Sequence, residues 1–134
     1  MIRKNSGIVI LFLLTFFSCG KDNLNPYDIL PEKTWEITNF YDKDTIKNKE
    51  FEGWQFLFMT NNDVKARKNS ESMYGKWLVS TSRDGSTNLI FTFEKTPPFH
   101  HLARAWKVKS QSNSKLNIES ADTTYPRSAT FEPI

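Results

Sequence analysis

The residue types that most often carry catalysis or bind metals are few in this chain and poorly spaced for either role. His100 and His101 are the two histidines; neighbours in a strand point to opposite faces, so this pair does not readily chelate one metal ion without a turn. The sequence contains no Gly-x-Ser-x-Gly nucleophile elbow and no glycine-rich phosphate loop, because its five glycines are dispersed. The carboxylates do not single out a hydrolytic pair. We therefore expect no enzyme activity, no metal site and no cofactor.

The single cysteine, Cys19, lies where an apolar run becomes polar. Arg3 and Lys4 precede the almost wholly apolar residues 8–17, which is the charge and hydropathy pattern of an export signal. A ten-residue helix over 8–17 would rise about 15 Å, half of the roughly 30 Å hydrocarbon core, so a permanent membrane-spanning helix is not expected. A lone cysteine cannot form an internal disulfide, and its position directs attention to chemistry at the thiol itself.

The segment Ser18-Cys19-Gly20 resembles the lipobox of bacterial lipoproteins, in which the signal is cut before the cysteine and the thiol is acylated. The resemblance implies that residues 1–18 are a signal peptide and that Cys19 carries several acyl chains, enough for stable anchoring in a membrane. In Gram-negative lipoproteins an Asp after the cysteine tends to cause inner-membrane retention, so Gly20 implies the outer membrane. Phe16 and Phe17 depart from the usual pattern, which leaves an ordinary signal peptide with an incidental cysteine as the alternative.

Removal of residues 1–18 leaves 116 of 134 residues, which is the length of one domain. Lys plus Arg then falls from 18 to 16 against 15 Asp plus Glu, so net charge gives no reason to expect nucleic acid as a partner. Residues 19–33 contain Gly, Asn and two prolines and are predicted to be a flexible tether that follows the lipidated cysteine. The domain itself is assigned to residues 34–134. Within it, "KARK" at 65–68 could face phosphate or lipid headgroups, but a solvated strand face is the simpler interpretation.

From Thr34 onward the hydrophobic pattern has a period of two, which is typical of strands in a sheet with one dry and one wet face. The four tryptophans make this visible in the segments Trp35-x-Ile37, Trp54-x-Phe56-x-Phe58, Trp77-x-Val79 and Trp106-x-Val108. We predict strands near 34–41, 51–60, 63–69, 74–82, 87–94, 104–111, 114–120 and 127–132. Short turns such as Asp84-Gly85 join them as hairpins. The predicted fold class is all-β: an antiparallel meander of about eight strands, closed or nearly so.

Pro97 and Pro98 interrupt this pattern, because prolines do not fit inside a central strand. We predict a short helical or irregular lid over residues 97–103 at one end of the barrel.

Five segments in order, "TWEITNF", "GWQFLFMTNNDVKA", "YGKWLVS", "LIFTFE" and "AWKVKSQSNSKLNI", resemble the lipocalin-like (calycin) domains of small bacterial envelope lipoproteins. The resemblance covers about residues 34–120 and implies a small barrel. Two features differ: the chain is shorter than a typical lipocalin, and its Gly-x-Trp lies in the fourth predicted strand instead of the first.

An eight-stranded barrel encloses a space that side chains fill or that holds one small ligand. If a cavity exists, we expect aromatic residues to line it: Trp35, Trp54, Phe56, Tyr74, Trp77, Phe91, Phe99 and Trp106. Two functions follow. In the first, a lipid-anchored barrel binds a small apolar or amphipathic ligand at a mouth near residues 99–102. In the second, the barrel is packed and acts as an interaction or inhibitor module through polar loops at 42–50 and 69–72.

Overall fold

The structure is a computed structural model that describes residues 25–94 and 96–134. The export signal and Cys19 lie outside the described residues, so both stay predictions. One short α-helix, α1 (Pro26–Ile29), precedes the strands, and three 3-10 helices occur at Leu30–Glu32, Asn48–Phe51 and Phe99–His101. The strands are β1 (Thr34–Asp42), β2 (Thr45–Ile46), β3 (Gln55–Phe58), β4 (Asp63–Lys68), β5 (Glu71–Thr81), β6 (Thr87–Phe93), β7 (Ala105–Gln111), β8 (Leu116–Ser120) and β9 (Arg127–Pro133).

Eight of these strands form a closed antiparallel barrel, as the alternating pattern predicted. β1 and β3 to β9 pair in chain order, and β9 then pairs with β1 from Trp35–Pro133 to Asp42–Arg127. Closure removes the bare edges that would otherwise template pairing with other chains. The two residues of β2 form a small hairpin on the end of β1. We refer to the end of the barrel where β1 begins as the upper end, and to the other as the lower end.

Alternate side chains of every long strand point into the barrel and form one core. The fully buried large residues include Trp35, Phe40, Phe56, Leu89, Trp106 and Phe131, together with Trp77 at 1% exposure. Their polar neighbours in sequence face solvent, which is the arrangement expected of a sheet with one dry face. Gly75 is required for this packing, since a Cβ there would lie 2.4 Å from the carbonyl oxygen of Thr92 and 2.5 Å from the Phe93 ring.

The residues predicted to be a flexible tether are in part packed against the barrel. Asn25 caps α1 through its side-chain oxygen, which accepts from the Tyr27 amide at 2.9 Å. Ile29 and Leu30 are 2% and 0% exposed and belong to the hydrophobic core. Residues 26–30 therefore pack with the barrel although they precede Thr34. Two apolar residues between prolines give no periodic signal, so the sequence did not indicate this packing.

The segment between β2 and β3 also differs from the prediction. The strand expected from residue 51 begins at Gln55, because Asn48–Phe51 forms a 3-10 helix whose Phe51 side chain is buried. Asn48 Oδ1 accepts a hydrogen bond from the Phe40 amide at 2.7 Å. This bond satisfies a main-chain donor of β1 at a position that β3 does not reach. The predicted polar loop at 42–50 is thus partly ordered structure.

The second predicted polar loop, at 69–72, is a tight hairpin and not a long loop. Only Asn69 and Ser70 lie between β4 and β5, and Asn69 has a positive φ of 55°, a conformation that Asn tolerates better than most residues.

Substitutions at Trp77 and Tyr74 test which side chains of β5 point into the barrel. Trp77→Ala removes a buried indole and leaves a cavity, so we expect the free energy of unfolding to fall by about 3–5 kcal/mol. Tyr74→Ala removes a ring that is 64% exposed, and we expect a change within about 0.5 kcal/mol. Urea denaturation followed by far-ultraviolet circular dichroism measures both. Equal losses for the two variants would contradict the inward orientation of Trp77.

Candidate functional site

Seven of the eight residues predicted to line a cavity lie inside the barrel: Trp35, Trp54, Phe56, Trp77, Phe91, Phe99 and Trp106. Their rings form part of a continuous chain of aromatic contacts. Phe131 lies within 5.5 Å of Phe56 and 6.1 Å of Phe91 between ring centroids, and Phe58 joins Trp77 at 5.4 Å. These centroid distances are those of directly packed rings. The aromatic residues therefore occupy the space that a ligand would need.

Tyr74 is the exception, and its predicted place inside the barrel is wrong. Tyr74 pairs with Lys65 of β4 in the register of β5, and 64% of the residue is exposed. The parity of β5 explains the difference: Gly75 and Trp77 point inward, so Tyr74 must point outward.

The indole N–H groups of three tryptophans bind main-chain carbonyls. Trp35 donates to Leu30, Trp77 to Met59 and Trp106 to Leu102, each at 3.0 Å. All three carbonyls belong to segments that lie at one end of the barrel or the other. The indole donors of these three tryptophans are thus satisfied by the protein itself.

Both ends of the barrel are covered. At the upper end, α1 packs beside β5: the Tyr27 hydroxyl oxygen accepts from the Val79 amide at 3.2 Å and from Asn62 Nδ2 at 3.1 Å. The Tyr27 ring also contacts Trp77 at 4.9 Å between centroids. The sequence does not indicate this role of Tyr27, because only the fold brings residues 27, 62 and 79 together.

At the lower end, the predicted lid over 97–103 is a plug. Phe99 and Leu102 are 1% and 0% exposed. The Phe99 ring packs against Trp54 at 4.8 Å and Phe93 at 5.1 Å between centroids, so it sits within the core instead of rimming an open mouth.

A polar network surrounds this plug. The buried Asp42 carboxylate lies 3.2 Å from Arg127 Nε and 3.5 Å from Lys47 Nζ. The Arg127 guanidinium stacks on the Tyr125 ring at 3.8 Å. Arg104 donates from Nε to the His101 carbonyl at 2.9 Å, which ties the 3-10 helix to the start of β7. Arg127 and Lys47 thus flank one buried carboxylate, and these contacts join β1, β9 and the turn before β7 at the lower end.

The two histidines lie side by side in this network, with ring centroids 3.9 Å apart. His101 Nε2 is 3.2 Å from a Glu50 carboxylate oxygen, and its ring packs on Phe40 at 5.7 Å. Burial lowers the pKa of His101 below its usual 6.5, and repulsion from His100 adds to this effect against the attraction of Glu50 and Asp42. Within residues 25–94 and 96–134, no group of three His, Cys, Asp or Glu side chains is placed to hold a metal ion.

The outer wall carries its charge unevenly. One cross-strand row on the outside of β3, β4 and β5 consists of Leu57, Lys65 and Tyr74, and Lys65 Nζ lies 5.6 Å from the Tyr74 ring centroid. Arg67 and Lys76 flank this row, and Lys76 forms an ion pair with Asp63. We name Leu57, Lys65, Arg67, Tyr74, Lys76 and Leu78 the basic-aromatic face.

The wall formed by β8, β9 and β1, which adjoins β3 at β1, is acidic. Glu36 of β1 and Glu132 of β9 are direct cross-strand partners, and Glu119 of β8 pairs with Lys109 at 3.4 Å. Glu132 accepts from the Thr38 hydroxyl at 2.7 Å, which helps to stabilise two like charges at neighbouring positions.

A cleft of about 540 Å³ opens to solvent beside the basic-aromatic face. Its lining residues are Asp63, Tyr74, Gly75, Lys76, Thr92, Phe93 and Glu94. None of the seven interior aromatic residues lines it.

In the part of the chain that the structure describes, we find no helix with the length and hydropathy needed to cross a membrane.

Comparison with known proteins relates the chain to others by fold alone. No protein-family model matches the sequence, and no curated protein matches it either. Among solved structures, the chain is similar to a DUF4847 family protein from Bacteroides vulgatus ATCC 8482, with a TM-score of 0.56 and 13% sequence identity. The match covers 81% of this chain and 96% of the other. At this identity the similarity supports the barrel architecture and says nothing about a ligand or partner.

The environment of His101 predicts a pH-dependent stability. Because its pKa in the folded chain lies below 6.5, the unfolded chain takes up the proton first as the pH falls, and stability present above pH 6.5 is then lost. We expect the urea midpoint to fall between about pH 7.5 and about pH 5.5. We expect His101→Gln to reduce that fall. An equal fall in the variant and the parent chain would show that another group is responsible.

Proposed function

We propose that this protein is a lipid-anchored protein of the cell envelope that acts through its outer surface as an interaction module, without enzyme activity. The observation that carries this proposal is the filled interior. Aromatic rings occupy the centre of the barrel, segments of the chain cover both ends, and three indole N–H groups bind main-chain carbonyls. A small ligand in the interior would have to displace several of these contacts, so a function on the outside is favoured over a carrier function.

The anchor is supported by the sequence. Positive charge, an apolar stretch and the lipobox-like Ser18-Cys19-Gly20 follow one another in the order of a lipoprotein signal. Gly20 after the cysteine favours the outer membrane. The described fold is compatible with this assignment, because every described strand lies after residue 33.

The filled interior can be tested with native mass spectrometry on the chain from Lys21 onward, which contains every described strand. We expect the native mass to equal the denatured mass, since packed aromatic side chains leave no room for a small molecule. A reproducible excess of a few hundred daltons would overturn the interaction proposal and favour a small-ligand carrier.

The anchor has a separate test with a matched control. We expect the full chain, expressed in a Gram-negative host, to incorporate labelled palmitate and to fractionate with the outer membrane. Cys19→Ser removes the thiol that would be acylated and is expected to abolish both properties. Ser18→Ala keeps the thiol and a small residue before it, and is expected to retain both. Membrane retention and labelling of the Cys19→Ser chain would refute the lipoprotein assignment.

A further inference from the structure

We infer that the basic-aromatic face docks on the anionic phospholipid surface of the membrane in which the chain is anchored, and thereby fixes the orientation of the barrel. This inference rests on the proposed lipid anchor. The binding surface is the outside of β3, β4 and β5, and its ligand is the phosphate of the lipid headgroups.

The chain enters the barrel beside the basic-aromatic face. The Tyr27 side chain lies against Val79 of β5 and Asn62 between β3 and β4, so α1 adjoins the upper part of the basic-aromatic face. Six residues lie between Cys19 and Pro26, so the seven Cα–Cα steps that join them span about 25 Å even when fully extended. β5 alone, with eleven residues, is about 35 Å long. An anchored barrel is therefore held close to the bilayer, with its upper end, where Tyr27 meets β5, nearest to the anchor.

The composition of the face supports the same inference. Lys65 and Arg67 are basic residues for which the structure shows no acidic partner among the described residues, while Lys76 is paired with Asp63. Each Lys or Arg near an anionic leaflet contributes about 1 kcal/mol of attraction. Tyr74 and Leu78 are 64% and 50% exposed, and tyrosine is a side chain favoured at the boundary between water and lipid. Charge and apolar area thus occur on the same wall.

The other surfaces near the anchor are less suitable for contact with an anionic membrane. The upper end of the barrel carries equal numbers of opposite charges: Asp28, Glu32 and Asp84 against Lys33, Arg83 and Lys115. The wall of β9 and β1, which adjoins the face at β3, presents Glu36 and Glu132, and an anionic surface repels both. Docking through the β4 and β5 side of the basic-aromatic face brings the attractive charges to the membrane and turns these two carboxylates away from it.

The single cysteine makes a direct experiment possible. The chain beginning at Cys19 is coupled through its thiol to a maleimide lipid in vesicles, which reproduces the anchor whether or not the thiol is acylated in the cell. Lysines are then modified with acetic anhydride, and the rates at individual residues are read by peptide mass spectrometry. The vesicles contain either phosphatidylcholine alone or phosphatidylcholine with a quarter phosphatidylglycerol.

On vesicles that contain phosphatidylglycerol, we expect Lys65 and Lys76 to react at least about fivefold more slowly than in the untethered chain. Lys107 and Lys109, which are exposed on β7, serve as internal controls and are expected to keep their rates. The protection is expected to be lost on phosphatidylcholine alone and in high salt, because screening weakens attraction between charges.

Two charge-reversal variants keep the result interpretable. Lys65→Glu with Arg67→Glu should abolish the protection of Lys76, whereas Lys107→Glu with Lys109→Glu makes the same total charge change on β7 and should leave it intact. Protection of all lysines alike, or of Lys109 in preference to Lys65, would overturn the proposed orientation. Unprotected lysines on both vesicle types would also overturn it and would favour a protein partner for this face. Neither result bears on acylation in the cell, which the Cys19→Ser fractionation tests separately.

Discussion

The need to satisfy three buried indole N–H groups is the constraint on which the closed structure depends. A small barrel can bury tryptophan only if each indole donor finds an acceptor, because an unpaired buried donor costs about 1–3 kcal/mol. The strand carbonyls already pair with neighbouring strands. The acceptors come instead from Leu30, Met59 and Leu102, which lie in segments at the two ends of the barrel. Core packing and end closure are therefore one arrangement.

This coupling explains why short irregular segments are as well packed as the strands. Residues 26–32 have weak intrinsic structure, with only one turn of α-helix followed by one turn of 3-10 helix, and a helix of that length does not form alone. They are held by Ile29 and Leu30 in the core and by the hydroxyl of Tyr27 between two strands. Phe99 and Leu102 have the same role at the lower end. Tertiary contacts, and not local preference, fix both segments.

The sequence allowed the barrel to be predicted, because a period of two is a local property of each strand. The order of strands and the break at Pro97 and Pro98 followed from turn residues alone. The period of two already places Tyr74 and Trp77 on opposite sides of β5, so assigning both to one cavity wall conflicted with the pattern, and Tyr74 is the one that faces solvent. The sequence did not reveal the packed tether or the 3-10 helix Asn48–Phe51. These depend on contacts between residues far apart in the chain, such as Tyr27 with Val79.

The same physical reasoning separates the core from the surface as places where function can lie. A core of interlocked aromatic rings tolerates little change in volume, since both cavities and overpacking destabilise it. The outer positions of the strands are free of that constraint, and they are where the chain places Lys65, Arg67 and Tyr74 on β4 and β5 and Glu36 and Glu132 on β1 and β9. An uneven charge distribution around a rigid barrel gives the molecule two distinguishable sides. With the proposed lipid anchor, such a distribution would determine which side of the barrel faces the membrane.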